Sequence, residues 1–212
     1  MILKSKITLF VYLFICLFVY LFICFGSANA DIITVDARVN SSIGGSSGAG
    51  NISLLTGQSY RITADSSDLW NNAYPYEGWS NANGLSGDFY GLGTGVADAN
   101  GDIPGGDTSD LIGKSWGLYT QNGLTTFYGT LVGQIDDGPF FKIGTNYSFT
   151  PTINGTLRLY NFDIAQGDNL GSINVDVSPV PEPEEWAMMM LGFPLMGWVA
   201  RRKQAANKAA IA

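Results

Sequence analysis

The sequence predicts an all-β fold: a single jelly-roll-like β-sandwich over residues 31–178, with an apolar segment outside it at each end. Three observations predict it. Short runs alternate apolar and polar residues with period two, the spacing that sends successive side chains to opposite faces of a strand. Gly, at 27 of 212 residues, clusters with Asn, Ser and Thr between those runs, where turns are needed. Outside the two ends, no stretch reads as a helix of useful length.

The strands follow in chain order. Ile33, Val35, Ala37 and Val39 alternate with polar neighbours and form the first. Tyr60, Ile62 and Ala64 form another, and Thr130–Ile135 and Tyr147–Phe149 two more. Leu157 and Leu159 are interleaved with Thr156, Arg158 and Tyr160; Ile173, Val175 and Val177 with Ser172, Asn174 and Asp176. Several short strands separated by Gly- and Asn-bearing turns give a β-sandwich or jelly roll.

Charge and rare residues narrow the chemistry. Residues 31–178 hold five cations (Arg38, Arg61, Lys114, Lys142, Arg158) and fifteen anions, a net charge near −10. Such a surface repels nucleic acid and anionic lipid, so no nucleic-acid partner is expected. It suits hard cations, whose ligands are carboxylate and carbonyl oxygens. Both cysteines, Cys16 and Cys24, lie in the N-terminal apolar run, so the predicted sandwich has no disulfide. The chain has no His, which removes imidazole metal sites and Ser-His or Cys-His nucleophiles.

The ends read as export and anchoring signals. Lys4 and Lys6 precede an apolar run from Ile7 to Phe25, followed by Ser27-Ala28-Asn29-Ala30. A basic start, an apolar core and an Ala-x-Ala site describe a signal peptide over residues 1–30. The run is close to spanning length, so an uncleaved anchor is the rival reading; the small-residue site favours cleavage after Ala30. At the other end, Pro181-Glu182-Pro183 leads into an apolar stretch, 186–200, bounded by Trp186 and Trp198 and closed by Arg201-Arg202-Lys203. Interfacial Trp and a basic cluster fit a short membrane helix with its basic end retained in the cytoplasm. The alternative, a buried amphipathic helix, sits poorly with a Pro-Glu-Pro hinge on one side and three cations on the other.

Residues 179–212 resemble the PEP-CTERM sorting signal through Pro181-Glu182-Pro183, Trp186-Ala187, Gly192, Gly197 and Arg201-Arg202-Lys203. The resemblance implies an exported envelope or matrix protein, processed by an integral-membrane exosortase and transiently anchored by its C-terminal helix. It also implies a bacterium that makes extracellular polysaccharide. Glu184-Glu185, where small residues are usual, and the tail Gln204–Ala212 depart from the pattern.

The interior segment resembles the LecA-type galactophilic lectins. The likeness runs through Leu111–Lys114, Leu131–Ile135, the turn Gly138–Gly144, Gly155–Asn161 and Gly167–Val175, and more loosely through Gly57–Ala64 and Ser80–Leu85. It implies a small jelly roll that binds carbohydrate through a calcium ion held between two loops. On the matching positions, Asp163, Asp168 and Asn169 become the candidate calcium ligands, with a backbone carbonyl from the Trp70–Tyr76 loop across the gap. Carboxylates, amides and carbonyls are the oxygens calcium takes. The competing reading is that Asp and Asn cap their own turns. Those lectins place a His near the sugar, and this chain has none, so the identity of the sugar does not carry over.

Two further stretches stand out. Asp98-Ala99-Asn100-Gly101-Asp102 has EF-hand-like alternation, but Ile103 stands where that loop needs Gly and no Glu follows at its twelfth position. It reads as a solvated acidic loop, running to Asp110, with at most weak calcium affinity. Trp70, Tyr74, Tyr76 and Trp79 crowd into ten residues with Asn71, Asn72 and Glu77. Aromatic faces beside amides suit sugar binding, and suit somewhat better a loop packed against the sandwich, since Trp and Tyr are usual cover residues. The sequence therefore supports a carbohydrate-binding module over a structural or adhesive matrix protein with no discrete ligand. A carboxylate-pair glycosidase comes last, because the acids lie in turns and form no identifiable pair.

Overall fold

The computed structural model describes residues 30–43, 45–89, 91–105, 111–181 and 201–202. Residues 1–29 of the expected signal peptide, the apolar stretch 186–200, Glu182, Pro183 and Lys203 lie outside the described residues, as do Asp107 and Asp110. Among the described residues no helix is long and apolar enough to cross a membrane.

The domain is all-β and consistent with a β-sandwich. One sheet contains β1 (Asp31–Asp36), β14 (Leu170–Pro179), β3 (Tyr60–Ala64) and β12 (Asn146–Phe149), in that order across the sheet. The facing sheet runs β2 (Ala49–Leu54), β13 (Gly155–Phe162), β10 (Thr130–Ile135) and β11 (Phe140–Lys142). Every strand pair is antiparallel, and the chain crosses between the sheets at β1–β2, β2–β3, β11–β12, β12–β13 and β13–β14. The first sheet is extended at one end by β4 (Trp70–Asn71) and β5 (Trp79–Ser80), which continue along the same β14 after the 65–69 turn. Two small pairs lie outside: β6 (Gly91–Leu92) with β7 (Leu111–Ile112), and β8 (Leu118–Gln121) with β9 (Leu124–Phe127).

Alternation builds the core. Ile173, Val175 and Val177 of β14 point inward between the half-exposed Ser172, Asn174, Asp176 and Ser178. They meet Val35 and Ile62 from their own sheet and Ile52, Leu54, Leu131, Leu157 and Leu159 from the other. A second cluster of Val132, Phe140, Tyr160 and Phe162 fills the outer side of the β10–β13 sheet. Its rings meet edge-on, with Phe140 and Tyr160 centroids 5.3 Å apart.

Two strand boundaries differ from the sequence reading. The first strand ends at Asp36 rather than running on to Val39, because the Asp36 carboxylate accepts hydrogen bonds from the Arg38 and Val39 amides at 2.9 and 2.7 Å and turns the chain. Val39 is therefore exposed. At the other end, β14 runs one residue past 178, and the Val180 amide bonds the Ser59 carbonyl at 2.8 Å.

Candidate functional site

The interrupted edge of β14 brings two loops together. The turn after β4 carries Ala73, Tyr74, Pro75 and Tyr76, and the Tyr74–Pro75 peptide is cis. Asn71 holds this turn from within: its Oδ1 accepts from the Ala73 amide at 2.7 Å, and its Nδ2 donates to the Tyr76 carbonyl at 3.0 Å. The loop between β13 and β14 carries Asp163, Asp168 and Asn169. The two meet where the Tyr74 amide donates to the Asp168 carbonyl at 2.7 Å. The sequence-predicted ligand residues and the loop expected opposite them are thus neighbours.

Asp163 and Asn169 are buried, at 2% and 1% exposure, in a loop whose residues 164–168 are open to solvent. Asp163 Oδ1 accepts from the Ile164 amide at 2.7 Å, while its Oδ2 is buried with no hydrogen-bond partner. Asn169 Nδ2 donates to the Ala37 carbonyl at 3.0 Å, and its Oδ1 is likewise buried and unpartnered. Burial drives the Asp163 carboxyl up to about 6, opposed by the Ile164 hydrogen bond and by the nearby N–H groups of Asn169 and Ala165, which favour the anion without bonding Oδ2; the Asp168 charge adds to the rise. Ser42 fixes the Asp163 backbone, accepting from its amide at 3.1 Å and donating to its carbonyl at 3.2 Å. Arg38 reaches the same loop, its guanidinium donating to the Gly167 carbonyl at 2.5 Å.

Buried polar atoms without partners are rare and call for a reason. Two oxygens, one carboxylate and one amide, left unpaired in one loop fit the donor chemistry of a hard cation. Among the described residues no three His, Cys, Asp or Glu side chains converge on one point, so any such ion would rest on at most two carboxylates, with amide and carbonyl oxygens.

The aromatic group divides. Trp70 and Trp79, read from sequence as ligand-binding, are not at the surface and cannot stack on a ligand. Trp70 is fully buried in the main core, its Nε1 donating to the Gly129 carbonyl at 2.9 Å. Trp79 is buried with Leu69 and Ile112. The register pairs Trp70 with Ser80 and Trp79 with Asn71, which puts the two indoles on opposite faces of the β4–β5 ribbon, and both faces are covered. Tyr74 and Tyr76, at 55% and 73% exposure, project from the turn, beside a Glu77–Lys114 ion pair that ties it to the chain after β7.

The Asp98–Asp102 segment is not a freely solvated loop. Asp98 accepts from the Leu69, Asn100 and Asp102 amides at 2.8, 2.8 and 3.0 Å. Asp102 accepts from the Ser172 amide at 2.8 Å, and Asn100 bonds Ser172 and Asn174. Asp98 thus closes its own turn and ties it to Leu69; Asn100 and Asp102 dock it on β14, and burial raises the Asp102 carboxyl. Of the sorting-motif residues, Pro181, Arg201 and Arg202 are described and exposed.

Asn72, read from sequence as an amide beside the aromatic cluster, and Asn161, read at the start of the stretch that resembles the lectins' calcium loop, are both buried behind the two loops. What the sequence did not show is that the two amides, 89 positions apart, face each other, at 3.1 and 3.3 Å. Among solved structures, the N-terminal domain of EclA, described as a PllA-like lectin, matches with a TM-score of 0.39 and 20% identity, over 72% of this chain and 98% of that one. No family model and no curated protein matches the sequence. At that score and identity the functional reading rests on the chain's own residues.

Proposed function

We propose that this chain is an exported envelope protein whose β-domain binds carbohydrate through a calcium ion, as a binding module rather than an enzyme. The observation that carries it is the pair of buried, unpartnered oxygens, Asp163 Oδ2 and Asn169 Oδ1, in the loop that Tyr74 contacts. Asp163, Asn169 and Asp168 would hold the ion, with a carbonyl from the Tyr74 turn completing the protein's share. Calcium bound there would offer its remaining positions to sugar hydroxyls. Tyr74 and Tyr76 present exposed rings beside the loop, the surface a sugar's C–H face stacks on. The excess of anions in residues 31–178 favours a divalent cation and an uncharged or cationic ligand over a polyanion.

The test is a glycan array probed with the purified chain in millimolar calcium and in EDTA. Binding in calcium, lost in EDTA and weakened in Tyr76→Ala, is the expected result. Equal binding in both buffers removes calcium from the reading, and no binding in either leaves a structural matrix protein.

Export rests on the terminal motifs. Pro181-Glu182-Pro183 with Arg201-Arg202-Lys203 supports sorting by an exosortase, with transient membrane anchoring and final placement at the outer surface or in the extracellular matrix. Replacing Pro181, Glu182 and Pro183 by Ala is expected to leave a membrane-retained precursor in the native host. Undiminished surface delivery would reject the sorting assignment.

A further inference from the structure

Behind the two loops lies a buried amide pair that the ligand set does not use. Asn72 Nδ2 donates to Asn161 Oδ1 at 3.1 Å, and Asn161 Nδ2 donates back to Asn72 Oδ1 at 3.3 Å. Asn161 is fully buried and Asn72 nearly so. Asn72 stands two residues before Tyr74, and Asn161 two residues before Asp163. The pair therefore bridges the roots of the two loops that meet at the Tyr74–Asp168 hydrogen bond. It also reaches the third ligand position: Asn161 Nδ2 lies 3.4 Å from the Ala37 carbonyl, the same oxygen that takes the Asn169 Nδ2 proton at 3.0 Å.

A core gains nothing obvious from two facing carboxamides. Burying them is costly unless each bond is made, and apolar residues of similar volume fill such a space without that demand. What a reciprocal amide pair adds is direction. Its two antiparallel bonds fix the separation and the relative rotation of the backbones that carry it, where apolar contacts allow sliding. The segments fixed here are those that must present oxygens to one ion from opposite sides.

We infer that Asn72 and Asn161 act as a positioning pair for the cation site, setting the distance between the Tyr74 turn and the Asp163–Asn169 loop. The inference rests on the calcium reading above. Groups that orient metal ligands from behind typically change affinity by about 10–100-fold when removed.

The test is calorimetric titration of the purified full chain with calcium chloride, for the parent, Asn72→Ala, Asn161→Ala and the double variant. Ile62→Val, in the core of β3 away from the loops, serves as a control for general destabilisation. Each variant is first melted in EDTA so that titration is done on folded protein; Asn72→Ser and Asn161→Ser replace any Ala variant that does not fold. Each single change is expected to weaken calcium binding by about 10–100-fold. The double variant should be no weaker than the poorer single one, because the second amide has already lost its partner. Ile62→Val should melt lower and bind calcium as the parent does. Parent-like affinity in the Asn variants, with only their melting lowered, would reduce the pair to a structural role. Losses that simply add would show two independent residues rather than a pair. Absence of calcium binding by the parent would overturn the cation reading itself, and this inference with it.

Discussion

Asp163 carries a carboxylate with one oxygen bonded and the other buried without a partner. In the absence of a cation that geometry favours the protonated form, and burial raises the group from the usual 3.8 to about 6. Because the folded value lies above the unfolded one, the folded chain holds more protons than the unfolded chain between those limits. The resulting contribution is fully present below about pH 4 and is lost as pH rises through 6, amounting to roughly 3 kcal/mol at most. Thermal melts in EDTA between pH 4 and 7 are therefore expected to show Asp163→Asn gaining on the parent as pH rises. A gap that is constant across the range, or that closes with pH, would mean the carboxyl is not buried unpaired. The contrast with Asp98 is instructive. Its oxygens accept three backbone amides, two from its own turn and one from Leu69, so the carboxylate that opens the EF-hand-like spacing caps and docks its loop. Spacing alone could not separate the two cases, because whether a turn carboxylate caps its own backbone depends on which amides the fold brings to it.

At the scale of elements, the legible strands were those with both an inward and an outward set. β14 and β3 show clean alternation because one face packs on the core and the other faces solvent, whereas β13 alternates only in its first half, its second half being covered on both faces. β2 was missed: of its six residues only Ile52 and Leu54 are large and apolar, and Gly50 takes a φ of 71°, so it presents no pattern. β11 was read as part of a turn because Pro139 and the flanking glycines punctuate it, yet Phe140 to Lys142 pair with β10. Trp70 and Trp79 were ambiguous for a different reason: composition marks an aromatic cluster, but the β4–β5 register puts the two rings on opposite faces, and only the tertiary packing covers both, Trp70 with the main core and Trp79 with Leu69 and Ile112. Close approach between elements is equally invisible in sequence. Gly129, at φ 71°, stands where an added Cβ would lie 2.7 Å from Ser80 Oγ and 2.8 Å from Asn72 Oδ1. Gly57 has a similar φ of 81° with open space around it. Gly57→Ala is expected to cost about 1–2 kcal/mol from the left-handed backbone alone. Gly129→Ala should cost about 1–3 kcal/mol more, since it forces apart the buried polar contacts beneath the site. Denaturant unfolding of both variants measures the difference; equal losses would mean that the contacts around Gly129 yield freely.

For the whole molecule, the sandwich supplies rigidity and the acidic surface supplies the demand for a counter-ion. The six-stranded sheet places Asp36, Asp68, Asp98 and Asp102 near one another around the start of β14, and the Asp163–Asn169 loop leads directly into that strand. With no disulfide in the domain, an ion that binds only the folded state must raise its stability by mass action. At free calcium a hundredfold above the dissociation constant the gain is about 2.7 kcal/mol. For a domain of this size that corresponds to a rise in melting temperature of roughly 5–10 °C. Calcium could also act less specifically, by screening the excess of carboxylates, and the two routes differ in ways a melt can read. Screening is reproduced by sodium chloride at matched ionic strength and survives the loss of any one acid. Binding at the loop is not reproduced by sodium, is strongest at neutral pH where Asp163 is ionised, and shrinks when a ligand is removed. Melts of the purified chain in EDTA, in matched sodium chloride and in millimolar calcium are therefore expected to separate only in calcium, and Asp168→Ala should lose most of that separation. Identical melting in all three buffers would leave the two unpaired oxygens without an ion to explain them. A calcium shift unchanged in Asp168→Ala would move the ion to the Asp98–Asp102 segment, against the hydrogen bonds that already occupy its oxygens.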